Sequence, residues 1–269
     1  MNTAPRALRE LLPQGSIFDD AASRRSSLLW FWALAEAVRT HSPHLEHAFS
    51  FTAWDDAVAL RHGGQYWLVG SPRRICTFLQ SLAPNPLSAP SRARCYWLDH
   101  EVWLDPALDP LRPSLSSEIG HALRLTHPPQ LSLLRPHPDC GPVQRHELSQ
   151  LRALDRSQFG HPLSFDSDAL LSAGVIWVAR QGTRLAACVR FTCFPQSRLC
   201  LLSSLWTDVS HRRRGLARRL IQTILAHCQA KQWSCALNVE RSNQAALALY
   251  QQLGFSNAGE AALLSTPGD

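Results

Sequence analysis

Lysine is almost missing from this chain. Lys231 stands alone among 27 basic residues, so arginine carries nearly all of the positive charge. Against 21 acidic residues the balance is +6. A basic surplus can hold phosphate backbones non-specifically. The sequence nonetheless lacks a recognition helix, a zinc-finger spacing and any repeat of basic and aromatic residues, which argues against nucleic acid as a partner. It also lacks an apolar run long enough to span a bilayer. The longest apolar cluster, residues 28–35, falls far short of the length required, so no membrane partner is expected. No apolar h-region follows Arg6, Arg9 and Glu10; Pro13 and Gly15 come instead, and a cytoplasmic location is the expectation. The eight cysteines include no C-x-x-C pair and read as reduced core residues, with a nucleophilic cysteine as the sharper alternative. His41, His44 and His47 cluster, but Pro43 interrupts them and no acidic or thiol ligand completes a site. No metal is therefore expected.

What is present begins at Trp206. Residues 206–221 read as a strand end, a basic loop with one glycine, and an amphipathic helix. Arg212-x-x-Gly215-x-Ala217 puts small residues where loop becomes helix. Gly215 lets the backbone approach a ligand, and Ala217 keeps the first turn unobstructed. A helix start offers free N–H groups and the positive end of the helix dipole, a combination that binds phosphate. Arg212, Arg213, Arg214, Arg218 and Arg219 surround it with positive charge. The physical reading is a pyrophosphate site.

A second segment lies a helix and a strand later. Residues 234–239 read as a buried strand, followed by Asn243-x-x-Ala246-x-x-Leu249-Tyr250-x-x-x-Gly254-Phe255. Ala246, Leu249, Tyr250 and Leu253 share one helix face, and Gly254 ends that helix. A lone R-x-x-G-x-A is weak, and a lone tyrosine on an apolar helix face is usually core. Both motifs in this order resemble the GNAT superfamily of N-acetyltransferases. The likeness is nearest to its glycine N-acyltransferase-like branch, whose members carry a degenerate N-terminal half.

The resemblance implies an α/β (α+β) fold, a mixed central sheet flanked by helices, over a catalytic domain at 129–269. A smaller α+β domain at 1–128 precedes it, and no internal repeat establishes it as a decayed copy. In this first part Asp19-Asp20 would cap a helix. Residues 57–60 and 66–69 should form a hairpin around His62-Gly63-Gly64. A helix is predicted over 73–82, a loop over 83–90, strands over 94–98 and 101–104, and a short helix from Ser116. In the second part a strand is predicted over 130–134, a helix over 144–159 and a hairpin of 175–180 with 185–194. A strand over 199–208, a helix over 213–228, a strand over 235–239 and a helix over 243–253 complete it.

The resemblance also implies roles. Two neighbouring strands splay to admit the pantetheine arm of acetyl-CoA, with Leu205, Trp206 and Thr207 offering backbone groups. The amides of Arg212, Arg213, Arg214, Gly215, Leu216 and Ala217 hold the pyrophosphate. Asn243 contacts the cosubstrate or ties down the strand exit. Tyr250 donates a proton to the departing CoA thiolate. The strand before the loop lacks the carboxylate that many relatives use as a base. Asp208, Glu240 and His211, or a water relayed by Ser203 or Ser204, stand nearest. Val209 replaces a common proline, and Thr207 a common valine. The expected partners are acyl-CoA and a small-molecule primary amine. Trp54, Tyr66, Trp67, Tyr96 and Trp97 would wall the amine pocket or form core. Acetylation of protein N-termini or lysines, and a noncatalytic acyl-CoA sensor, are the alternatives.

Overall fold

The computed structural model describes residues 50–54, 57–62, 65–82, 95–125, 136–159, 175–194 and 198–265. The helix after Asp20, the 41–47 histidines, the 83–90 loop, the His127-Pro128-Pro129 segment and the strand at 130–134 lie outside them. Two compact units are interleaved along the chain. One takes the residues up to Leu123 together with Asn238–Leu247 and those from Asn257 onward; the other takes Arg124–Leu237 and Ala248–Ser256.

Among the described residues the first unit begins with β1 (Ser50–Ala53), β2 (Ala57–His62) and β3 (Gln65–Gly70), antiparallel in succession. β2 and β3 form the expected hairpin, closing at His62 opposite Gln65. α1 (Pro72–Ser81) follows, with proline in its first turn, where no N–H is missed. Its spacing buries Ile75, Cys76 and Leu79 on one face. β4 (Cys95–Asp99) runs parallel to β3. α2 (His100–Leu104) and a 3₁₀ segment (Pro106–Ser114) come next, then β5 (Ser116–Leu125).

Two expectations are corrected here. Residues 101–104 are helical although valine, tryptophan and leucine suit a strand. The turn lets Trp103 and Leu108 enter the core, and Arg112 lies 5.4 Å over the Trp103 ring while donating to its carbonyl at 2.9 Å. Ser116 starts a strand, not a helix. A Cβ on Gly120 would sit 3.1 Å from the Val239 carbonyl oxygen, and the Arg241 N–H donates to the Ile119 carbonyl at 2.9 Å. Close backbone pairing thus overrides the local capping pattern.

The second unit contains β6 (Cys140–Pro142), a 3₁₀ turn (Arg145–Glu147), α3 (Leu148–Phe159), β7 (Ile176–Gln181) and β8 (Arg184–Phe194). β9 (Leu199–Thr207), a 3₁₀ turn (Val209–His211) and α4 (Leu216–Ala230) follow. β10 (Ser234–Glu240), α5 (Gln244–Gln252) and β11 (Ser256–Ser265) end the described chain. β10 and α5 each pass from one unit to the other along their length. The second unit's strands stand in the order β10-β9-β8-β7-β6, with β10 parallel to β9 and the rest antiparallel. α4, buried along Leu216, Leu220, Ile221, Ile224, Leu225 and Cys228, packs on β6 through β9. In the first unit β11 pairs antiparallel with β4, from Ala261 opposite Asp99 to Ser265 opposite Cys95. The mixed sheet flanked by helices is the fold class expected.

Candidate functional site

β9 leads into the site. Its ladder with β10 covers Leu199 to Leu202 against Ser234 to Leu237 and ends there. On the other side Val189 pairs with Leu205 and Phe191 with Leu202, so Ser203 and Ser204 face Arg190 alone. That is a β-bulge, one extra residue that bends and twists the strand. Past it, Leu205, Trp206 and Thr207 keep β8 as partner, and among the described residues they make no ladder with β10. Their polar groups on the side away from β8 are therefore left without a strand, as splaying requires. The bulge was missed in the sequence; Ser203-Ser204 within an otherwise apolar strand is its only signal. The Trp206 side chain is buried with Val178 and Cys188, so only its backbone is available to a ligand.

The loop after β9 is held by its own side chains. The Asp208 carboxylate accepts from the Ser210 N–H at 2.8 Å and from the Ser210 hydroxyl at 2.5 Å, with His211 Nδ1 at 3.3 Å. The Ser210 hydroxyl, then His211, hold the Asp208 carboxyl below the usual range, which suits a loop anchor better than a base at neutral pH. Arg212 Nε donates back to the Thr207 carbonyl at 3.2 Å.

Arg213 and Gly215 then adopt left-handed conformations, with φ of 62° and 75°. Such a conformation is uncommon for arginine and marks a backbone shaped for something other than chain economy. The two left-handed residues explain why the helix starts at Leu216 rather than Arg213. Gly215 is its N-cap and offers no side chain to the orphan N–H groups of the first turn. A Cβ there would meet nothing within 4 Å. Open space, uncapped N–H groups and the positive end of a 15-residue helix coincide. Arg212, Arg213 and Arg214 are exposed around it, while Leu216 is buried and Ala217 half-buried. Arg214 reaches Gln181 at 3.2 Å and Arg218 is bonded to Gln252, partners the sequence did not suggest. The residues present fit a pyrophosphate.

Tyr250 lies on α5, buried, edge-on to Phe255 at 5.6 Å. Among the described residues its hydroxyl has no hydrogen-bond partner. Burial first, then Cys235, raises its pKa, so the phenol keeps its proton throughout the neutral range. Asn243 caps α5: its side-chain oxygen accepts from the Ala246 N–H at 3.1 Å, and its own N–H donates to the Glu240 carbonyl at 3.0 Å. Tying down the strand exit accounts for its place in the motif. Glu240 is exposed, and the Ser203 hydroxyl donates to the Arg190 carbonyl at 3.1 Å. Trp54 and Tyr66 pack around Phe78 in the first unit's core, at 5.1 and 6.0 Å, and Trp67 is buried. The side chains of Tyr96 and Trp97 lie outside the description.

Residues 144–255 match the model of the acetyltransferase (GNAT) family. The match spans less than half of the chain. Solved structures agree on the fold. A GCN5-related N-acetyltransferase-like protein from Streptococcus suis superposes with a TM-score of 0.63 at 11% identity, over 97% of this chain and 99% of that one. GCN5-related N-acetyltransferases from Kribbella flavida and Sphaerobacter thermophilus both reach 0.56, at 16% and 15% identity. The first covers 83% of this chain and 91% of its own, the second 87% of each. No curated protein matches the chain. In the GNAT match, β9, the Arg212–Ala217 loop, Asn243 and Tyr250 all fall inside the matched residues.

Proposed function

We propose that this chain is an acyl-CoA-dependent N-acyltransferase that moves an acetyl group from acetyl-CoA to the primary amine of a small molecule, such as an amino acid or a secondary metabolite. The observation that carries the reading is Gly215. It is left-handed, open to space, and heads a helix whose first N–H groups have no side-chain cap. The backbone edge of Leu205–Thr207, which makes no ladder with β10 among the described residues, would take the pantetheine amides, and the 212–217 amides the pyrophosphate.

In this reading both substrates are bound together. The amine nitrogen attacks the thioester carbonyl, the carbon–sulfur bond breaks, and the departing thiolate takes the Tyr250 proton. The proton lost by the amine leaves through water, since Asp208 is engaged in its turn. The first part of the chain, 1–128, is assigned as the degenerate half of a glycine N-acyltransferase-like architecture, and the enzyme is placed in the cytoplasm.

Calorimetric titration of the whole chain with acetyl-CoA, longer acyl-CoAs and free CoA tests the donor. Binding of one thioester in preference to free CoA is the expected result. Gly215→Glu introduces a carboxylate where phosphate would bind; its Cβ meets no atom within 4 Å, and the left-handed backbone adds strain of about 1 kcal/mol. It should weaken acetyl-CoA by about a hundredfold or more while the fold survives. Unchanged affinity in that variant removes the assignment.

A further inference from the structure

Four of the seven described cysteines converge behind the site, on the sheet face that α4 covers. Cys200 on β9 and Cys235 on β10 are directly paired in the parallel ladder, so both project to one face. Cys193 on β8 is the partner of Cys200 on its other side. Cys228, near the end of α4, meets this row from above. The sulfur atoms of Cys200, Cys228 and Cys235 lie within 4.8 Å of one another, and each residue is 1% exposed. No spacing in the sequence announces the group, because its members come from two strands and a helix.

Three thiols at this separation are close to a coordination triangle. With metal–sulfur bonds of about 2.3 Å, a flat triangle sets the sulfurs about 4.0 Å apart. Closure therefore asks each sulfur to move by less than about 1 Å. Thiolates select soft ions, Cu(I) and zinc foremost. Zinc in a closed site takes four ligands, and the cluster supplies three. We propose that Cys200, Cys228 and Cys235 form a buried three-coordinate site for a soft monovalent d¹⁰ cation, with Cu(I) as its probe.

Binding forms three copper–sulfur bonds and releases the thiol protons to solvent. Copper enters and remains as Cu(I), so no electron is transferred. Lys231, the lone lysine, stands near Cys193 and offsets part of the added negative charge. Cys193 is half-buried and stands opposite Cys200 in the ladder, so ligand exchange through it gives the ion a way in.

The test uses the reduced whole chain, titrated without oxygen with Cu(I) against the chelator bicinchoninate. The expected result is one equivalent retained by the protein, a raised thermal midpoint, and X-ray absorption reporting three sulfur neighbours. Cys228→Ala should weaken retention by about a hundredfold, while Cys140→Ser, outside the cluster, should leave it unchanged. Loss of the copper to the chelator, two-sulfur coordination in the unaltered protein, or equal retention by Cys228→Ala overturns the assignment. Should Cys228→Ala fail to fold, the stoichiometry and sulfur count of the unaltered protein decide alone.

Discussion

Tyr250 and Asn243 belong to one motif and do different work. Tyr250 is buried against Phe255, so replacing it with phenylalanine keeps the ring contact and removes only the hydroxyl. We expect Tyr250→Phe to bind acetyl-CoA as before and to lose about 10²-fold or more in kcat, read in a CoA-release assay once an amine acceptor is found. Equal rates would give the proton to water instead. Asn243→Ala removes a helix cap. It should cost about 1 kcal/mol, a fall of about 2–4 °C in thermal midpoint, with acetyl-CoA affinity nearly intact. A large loss of affinity at unchanged stability would make Asn243 a ligand contact instead. The buried helix face that holds Tyr250 and the cap at Asn243 were legible in the sequence because helix periodicity and capping are local. The cysteine cluster could not, since pairing across strands sets it.

Among the elements, the strongest polar anchor in the second unit is the turn before α3. Glu147 is buried, accepts from the Gln144 N–H at 2.7 Å, and holds Arg180 of β7 through Nε at 2.6 Å and Nη2 at 2.8 Å. The Arg180 bond chiefly holds its carboxyl below the usual range. The folded pKa is thus below the unfolded value of about 4.3. The stabilisation is complete above that value and is lost as pH falls through the folded one. Glu147→Gln should cost about 2–3 kcal/mol at pH 7, because a charged partner is left without its carboxylate. The gap between variant and parent in thermal melts should narrow below about pH 4. A gap constant with pH would trace the loss to packing. The sequence places a helix here and cannot place the ion pair, whose members lie 33 residues apart in the chain. The same limit explains residues 101–104 and 116–119, where composition argued for one element and distant partners imposed another. Periodicity did locate β7, β8, β9, α4, β10 and α5, and it placed the start of α4 three residues early because it does not report the left-handed turns at Arg213 and Gly215.

Across the whole molecule, the interleaving of the two units bears on how the chain can be cut. We propose 129–269 as the catalytic domain from its motifs, yet its last strand is paired with β4 from Cys95 to Asp99. Ala262 and Leu264 of that strand are fully buried in a core with Leu68, Ile75, Leu98 and Leu108. A fragment beginning at residue 129 would retain β11 without β4 and would expose both its edge and its apolar face. Exposed edges of that kind pair with other copies. The fragment should therefore aggregate or melt at lower temperature than the full chain, and co-expression with 1–128 should restore solubility. Size-exclusion chromatography and thermal melts of the fragment, alone and with its complement, measure this. A monomeric fragment melting with the full chain would mean that residues 238–247 and β11 hold their structure without the first 128 residues, and that the N-terminal part is dispensable for the acetyltransferase fold.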